Sequence, residues 1–214
     1  EVCADGEAQA MANPDAFSDP NDAVSFVLHE RNDSTLGRIW DENANGRFRF
    51  LPGMAFDTRY YVSRIVGNAL NGAPDKNNAC LSVALGQPVV FRQKPQADAG
   101  LDADTCGNAL SLAATLDFGV GRWNLSDSAL TLESGVLAAQ NTVTASKPGA
   151  FWAVWAVANG ACTTMDSVRL RFWENPSVTI QTLACDSVAE QFRLTLNIAG
   201  GAAPYMVNDS LWIG

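Results

Sequence analysis

Polar and apolar positions alternate with a period of two along much of this chain, and no window sustains the 3.6-residue period of a helix. In "QFRLTLNI", Phe192, Leu194, Leu196 and Ile198 take one face, while Gln191, Arg193, Thr195 and Asn197 take the other. In "SVRLRFW", Val168, Leu170 and Phe172 oppose Ser167, Arg169 and Arg171. The same parity places Trp155 with Phe151 and Val157, as a core residue would be, and sends Trp152 to the opposite face. Trp173 shares the outward parity of Arg169 and Arg171. Short alternating strands separated by Gly, Asn, Asp and Pro predict an all-β chain of antiparallel sandwiches.

Two Pro-marked seams divide the pattern. "FRQKPQADAG" ends one strand at Lys94, and "FWENPSVTI" ends another near Asn175-Pro176. The expected organisation is one sandwich at 1–95, a second at 96–176, and the first part of a third at 177–214. A sandwich takes about 100 residues, so the third is expected to be incomplete. Five cysteines are spread through the chain with no C-x-x-C and no Cys/His cluster, which excludes zinc and redox-motif readings. Sorted by domain, they pair as Cys3 with Cys80 and Cys106 with Cys162, leaving Cys185 with a partner outside this window. Disulfides imply an oxidising compartment.

Composition narrows the partners. The net charge of −9 comes without any run of Lys or Arg, so a nucleic-acid partner is not expected. No apolar stretch approaches the roughly 18 residues needed to span a bilayer, so no membrane insertion is expected either. The sequence opens at Glu1 and shows no signal peptide, which reads as a mature segment or an excised window. Acid is lopsided, with 16 Asp against 7 Glu. Asp favours turns and is a common calcium ligand.

Counting strands in the first domain brings its loops at 13–22, 41–46 and 67–79 to one end. Those loops hold Asp15, Asp19, Asp22, Asp41, Asn43, Asn45, Asp75 and Asn77, and the chain leaves that end toward Asp98, Asp102 and Asp104. This is a candidate pole for a structural Ca²⁺, against the plainer reading of solvated turn residues. "DENANG" supplies only the first half of an EF-hand-like loop, and Pro52 stands where the bidentate Glu belongs. No other cofactor is expected.

No enzyme is expected. His29 is the sole histidine, ending the strand "VSFVLH", and no G-x-S-x-G, H-E-x-x-H or phosphate-cradling loop occurs. A carbohydrate-binding module is the competing class. It would need exposed aromatic platforms, for which Trp152 and Trp173 are the candidates.

A longer pattern carries a family resemblance. "ADAGLDADTCGNALSLAA", "GRWNLSD" and "GAFWAVWAVANGACTTMDSVRLRF" in the second domain resemble the polycystic-kidney-disease-like, Ig-like repeats of giant surface proteins of Bacteroidota. Trp155, Val157, Asn159, Gly160 and Cys162 match the late hairpin of those repeats, whereas Leu101 replaces the usual Pro of their opening element. The first domain, through "TLGRIW" and "FLPGMAFDTRYYVSRIVGN", resembles another such repeat, and "LNIAGGAAPYMVN" resembles the Gly-Gly-x-x-Pro-Tyr turn of a third type. The resemblance implies tandem Ig-like domains exported by the type IX pathway to the bacterial cell surface. There the chain would serve as stalk, adhesin or filament, partnered by neighbouring repeats, other copies or surface glycans. It also bears on a recurrent triplet. Asp followed by Ser and then Thr, Ala, Val or Leu occurs at Ser34, Ser128, Ser167, Ser187 and Ser210. In Bacteroidota this pattern marks O-glycosylation. The competing reading is strand punctuation, in which Asp caps a turn.

Overall fold

The computed structural model describes residues 1–10, 19–31, 35–186, 191–207 and 210–212, with the backbone path alone for 182–186, 191–193, 207 and 210–212. Among the described residues the chain is all-β, arranged in several sheets. It packs as two compact units. One is Glu1–Pro95 with Ala158–Thr164, and the other is Gln96–Val157 with Met165–Gly214.

The first unit is built on the strands β1 (Val2–Cys3), β2 (Ala8–Gln9), β3 (Asp22–His29), β4 (Ile39–Asn43), β5 (Arg47–Phe48), β6 (Arg59–Leu70), β7 (Ala73–Pro74), β8 (Ser82–Val83) and β9 (Gln87–Arg92). One sheet runs β1-β9-β6-β3-β4, with β7 and β8 also paired to β6. The β1–β9 pair is parallel, with Cys3 beside Arg92. Both faces of this sheet are covered. Phe26, Leu28, Tyr60, Val62, Val89 and Phe91 pack with Phe48 on one side, and Val27 and Ile65 pack with Leu36 on the other. Burial on both faces is why β3 reads as a buried run from Ser25 onward rather than as an alternation.

On the second of those faces the row Ser25, Val27, His29 is half polar, and its polar members are hydrogen-bonded. His29 Nε2 lies 2.8 Å from Ser63 Oγ and Nδ1 lies 3.2 Å from the Leu36 carbonyl. A carbonyl can only accept, so Nδ1 carries a proton, and in the neutral imidazole Nε2 then accepts from the serine hydroxyl. Ser25 Oγ donates to Glu42 at 2.6 Å. Buried polar groups with partners avoid the desolvation cost that orphaned ones incur.

The second unit contains β10 (Ala97–Asp98), β11 (Ala103–Cys106), β12 (Ala109–Ala113), β13 (Thr115–Leu116), β14 (Val120–Leu125), β15 (Leu130–Leu132), β16 (Gln140–Ala145), β17 (Gly149–Asn159) and β18 (Cys162–Trp173). The last two residues of β17 and the first three of β18 belong, with the turn between them, to the first unit. Two sheets, β11-β18-β17-β14 and β12-β16-β15, enclose one apolar core. Trp155, Val157, Val168, Leu170 and Phe172 meet Leu112, Leu130 and Val143 there. Trp123 and Trp155 pack with ring centroids 5.1 Å apart. Their indole N–H groups donate to the Ala138 and Thr115 carbonyls, so neither leaves a buried donor unmet. Gly121 makes this pair possible, because a Cβ there would sit 2.0 Å from Trp155 Cζ2.

Beyond this core, β19 (Ser177–Asp186) and β20 (Gln191–Ala199) form an antiparallel hairpin with a bulge between Ile180 and Thr182. β21 (Tyr205–Val207) pairs with β22 (Ser210–Trp212).

Candidate functional site

Two places in the molecule carry chemistry beyond packing. The first is a disulfide in the first unit, between Cys3 and Cys162, with Cα atoms 4.8 Å apart and a sequence separation of 159. This corrects the pairing expected from the sequence, because Cys80 and Cys106 are free and exposed. The reason is distance along strands. Cys106 lies beside Trp173 at the far end of β18 from Cys162. The separation is eleven residues of one strand, roughly 36 Å at about 3.3 Å each, where a disulfide needs Cα atoms within about 7 Å. Cys3 and Cys80 are likewise at opposite ends of the first sheet. Cys3 pairs beside Arg92, next to the start of β6. Cys80 adjoins Leu81, which packs against Gly67 near the end of β6. Of Cys185, only the backbone position in β19 is described.

The segment Ala158–Thr164 that carries Cys162 is held by further bonds within the first unit. Asn159 Nδ2 donates to the Gln93 carbonyl at 2.9 Å, and Thr164 Oγ1 donates to the Pro95 carbonyl at 3.0 Å. Gly160, at φ +56, is pressed against Arg92 and Glu1. Arg92 bonds Asp57 at 2.8 Å and also bonds Glu1. Those two carboxylates hold its ionisation above the usual arginine value, and its guanidinium in turn holds the Glu1 carboxyl below the usual carboxylate value. β17 and β18 have 11 and 12 residues, about twice the usual strand length of five or six.

The second place is the solvent face of the β11-β18-β17-β14 sheet. Trp155 is fully buried, whereas Trp152 keeps 49% of its surface exposed, as the parity of the sequence predicts. Trp173 is half-buried. The Arg171 guanidinium lies over its ring at 3.5 Å from the centroid, and its Nε1 donates to Asp104 Oδ2 at 3.3 Å. A cleft of about 380 Å³ beside it is lined by Ala150, Arg171, Trp173, Glu174, Gly200 and Gly201. Another of about 540 Å³ adjoins Trp173, Lys147, Glu174 and Asn108.

The acidic residues offered for calcium are dispersed into local hydrogen bonds. Asp22 accepts from the Asp19 N–H, Asp19 from Asn21, Asp75 from Asn77 and Asp98 from Gly100. Asp41 lies in β4 and accepts from the Glu42 N–H, so it is a strand residue and not a loop one. In the second unit Asp102 accepts from the Arg169 N–H at 2.7 Å, and Asp104 holds Trp173. The "DENANG" turn closes on itself. Asn43 accepts from the Gly46 N–H and donates to the Arg47 carbonyl, and Asn45 accepts from the Arg47 N–H. Among the described residues no three of His, Cys, Asp and Glu converge on a point a metal could occupy. Asp15 lies outside the described residues.

Of the triplet serines, Ser128 and Ser167 are exposed. Ser210 is described by its backbone in β22, and Ser34 and Ser187 lie outside the described residues. Asp127 caps the turn at Ser128 by accepting the Ala129 N–H at 2.7 Å, and that bond, with Lys147 beside it, keeps its carboxyl below the usual range. Asp166 accepts the Ala99 N–H at 2.8 Å.

No family model matches the chain, and no curated protein matches it by sequence. Among solved structures, it is similar to extracellular domains 3–5 of Drosophila OTK at 7% sequence identity with a TM-score of 0.34. The alignment covers 84% of this chain and spans 64% of the length of that one. A likeness so distant carries no argument about function.

Proposed function

We propose that this chain is a structural segment of a long, extracellular bacterial surface protein, exported in disulfide-bonded form and working as a stalk or filament element. The observation that carries the reading is the covalent topology of Cys3–Cys162. A chain pulled from its ends transmits force through the sulfur atoms and leaves residues 4–161 unloaded. In the chain-entropy model, closing a loop of this length also stabilises the folded state by about 5 kcal/mol. Such a bond forms in an oxidising compartment, which supports an extracellular setting. The exposed Ser128 and Ser167, each following an Asp that bonds the backbone, are accessible to O-glycosylation on this reading, and the host is a member of the Bacteroidota. Neighbouring repeats or further copies of the chain are the expected partners. A stiffening Ca²⁺ is not part of the proposal.

Single-molecule pulling between residues 1 and 214 tests it. Oxidised protein should release only the residues outside the disulfide loop. Reduction should add the 158 residues from 4 to 161, roughly 550 Å of contour length at about 3.5 Å per residue. Equal extension with and without reductant would end the load-bearing reading.

A further inference from the structure

Domain-two residues 96–176 carry three arginines, Arg122, Arg169 and Arg171, in a chain whose net charge is −9. All three sit on one surface. In β14 the buried positions are Gly121 and Trp123, so Arg122 faces outward, and in β18 Arg169 and Arg171 alternate with the buried Val168, Leu170 and Phe172. These strands flank β17 in the sheet order β18-β17-β14. The arginines therefore share the face that displays Trp152 and Trp173. None of them forms an ion pair among the described residues, although Lys147, the remaining cation of this stretch, pairs with Asp127 at 3.5 Å. Unneutralised guanidinium groups gathered on one face of an acidic protein require an explanation, because self-repulsion opposes their clustering.

The register sets their spacing. The two-residue turn between Asn159 and Cys162 places Trp152 beside Arg169 and Ala150 beside Arg171. Trp152 and Trp173 are then four strand positions apart, roughly 14 Å along the sheet at about 3.4 Å per residue. Between them lies the small side chain of Ala150, and the 380 Å³ cleft opens over it. The face therefore carries Trp152, Arg169, Arg171 and Trp173 in line, with the cleft at its Trp173 end. Three carboxylates border this face, and the first, Asp102, accepts the Arg169 backbone N–H. Asp104 is occupied by the Trp173 N–H, and Glu174 lines the cleft.

We propose that this face binds an acidic polysaccharide, with uronate carboxylates on Arg169 and Arg171 and sugar rings against Trp152. Planar guanidinium groups pair bidentately with carboxylates, and an exposed indole gives the apolar face of a pyranose a surface to cover. A neutral glycan would leave the arginines unused, and a bare anion would leave Trp152 unused. The combination selects a chain that alternates charge with apolar ring faces. This inference stands apart from the load-bearing reading, since binding and extension are measured separately.

The test is titration of the oxidised chain with alginate as the polyuronate, dextran as the neutral control and dextran sulfate as the charge control, followed by tryptophan fluorescence and calorimetry. Alginate should bind and perturb the fluorescence, and dextran should not. Arg169→Gln and Trp152→Ala should each weaken alginate binding at least fivefold without changing the thermal midpoint. Arg59→Gln, at an exposed position in the first unit, should leave it unchanged. Three results would each overturn the proposal: no alginate binding, equal binding of dextran, or alginate and dextran sulfate binding that Trp152→Ala leaves untouched, which is charge attraction alone.

Discussion

The two sheets that contain β3 and β17 differ in what covers them. The β3 sheet is buried on both faces, and it meets that condition by placing Ser25, His29 and Ser63 in a hydrogen-bonded row inside the protein. The β17 sheet is buried on one face, where its core is entirely apolar, and it keeps its polar and cationic residues outside. A two-sided sheet needs polar groups satisfied in place, whereas a one-sided sheet can export them to water. The first solution depends on hydrogen bonds, the second on shape.

That contrast can be broken from either side. The largest effect is expected in the one-sided sheet. Gly121→Ala would drive a methyl group into Trp155, which is fully buried and packed against Trp123. Overpacking on this scale should cost about 3 kcal/mol or more. It would appear as a lowered denaturant midpoint, with loss of near-ultraviolet tryptophan signal from the second unit. An unchanged midpoint would mean the core is looser than the fit of Gly121 against Trp155 requires.

A smaller loss is expected when the two-sided sheet is disturbed. His29→Ala leaves Ser63 Oγ and the Leu36 carbonyl without the imidazole in a buried site, and should cost about 2 kcal/mol. Ser63→Ala, which removes only one partner, should cost less. Equal losses in chemical denaturation would show that the shared His29–Ser63 bond, and neither the Leu36 bond nor the lost volume, sets the cost.

The smallest effect concerns pH. Burial pushes the Glu42 carboxyl upward, but hydrogen bonds from Lys76 and Ser25 together hold it below its ordinary value of 4.5. A carboxyl depressed in the folded state contributes stability above its unfolded value and loses it as pH falls through the folded value. The contribution should therefore disappear on acidification below 4.5. Lys76→Met should move Glu42 ionisation upward and shift acid unfolding to higher pH. Lys147→Met in the second unit should do less, because Asp127 is held chiefly by the Ala129 N–H, which that substitution leaves in place. Carboxyl-carbon NMR titration of both variants reads the difference.

Much of this fold was legible along the chain. The parity of "SVRLRFW" and "GAFWAVWAV" placed Trp155 inward and Trp152 outward, because side-chain direction in a strand depends only on the residue's own count. The candidate binding face was half legible. Its tryptophans and two of its arginines followed from parity, but the addition of Arg122 depends on β14 lying next to β17, which no local pattern encodes. Trp123 and Gly121 were missed as a pair for the same reason. "GRW" has no feature that points to Trp155, thirty-four positions past Gly121. The dispersal of the described calcium candidates was not legible either. Asp19, Asp22, Asp41, Asp75 and Asp98 bind backbone N–H groups close in sequence, while Asp102 and Asp104 bind Arg169 and Trp173 far along the chain. Only the folded backbone shows which donor each takes.

By itself, then, the sequence determined the strands, their two faces and the all-β class, since a period of two is a local property of the extended backbone. The cysteine partnership belonged to the tertiary structure alone. Sorting by domain joined Cys3 to Cys80, but the fold carried Cys162 on an unusually long hairpin to Cys3. A disulfide responds to a few ångströms of space and not to sequence distance, so only the completed pairing of strands could decide it.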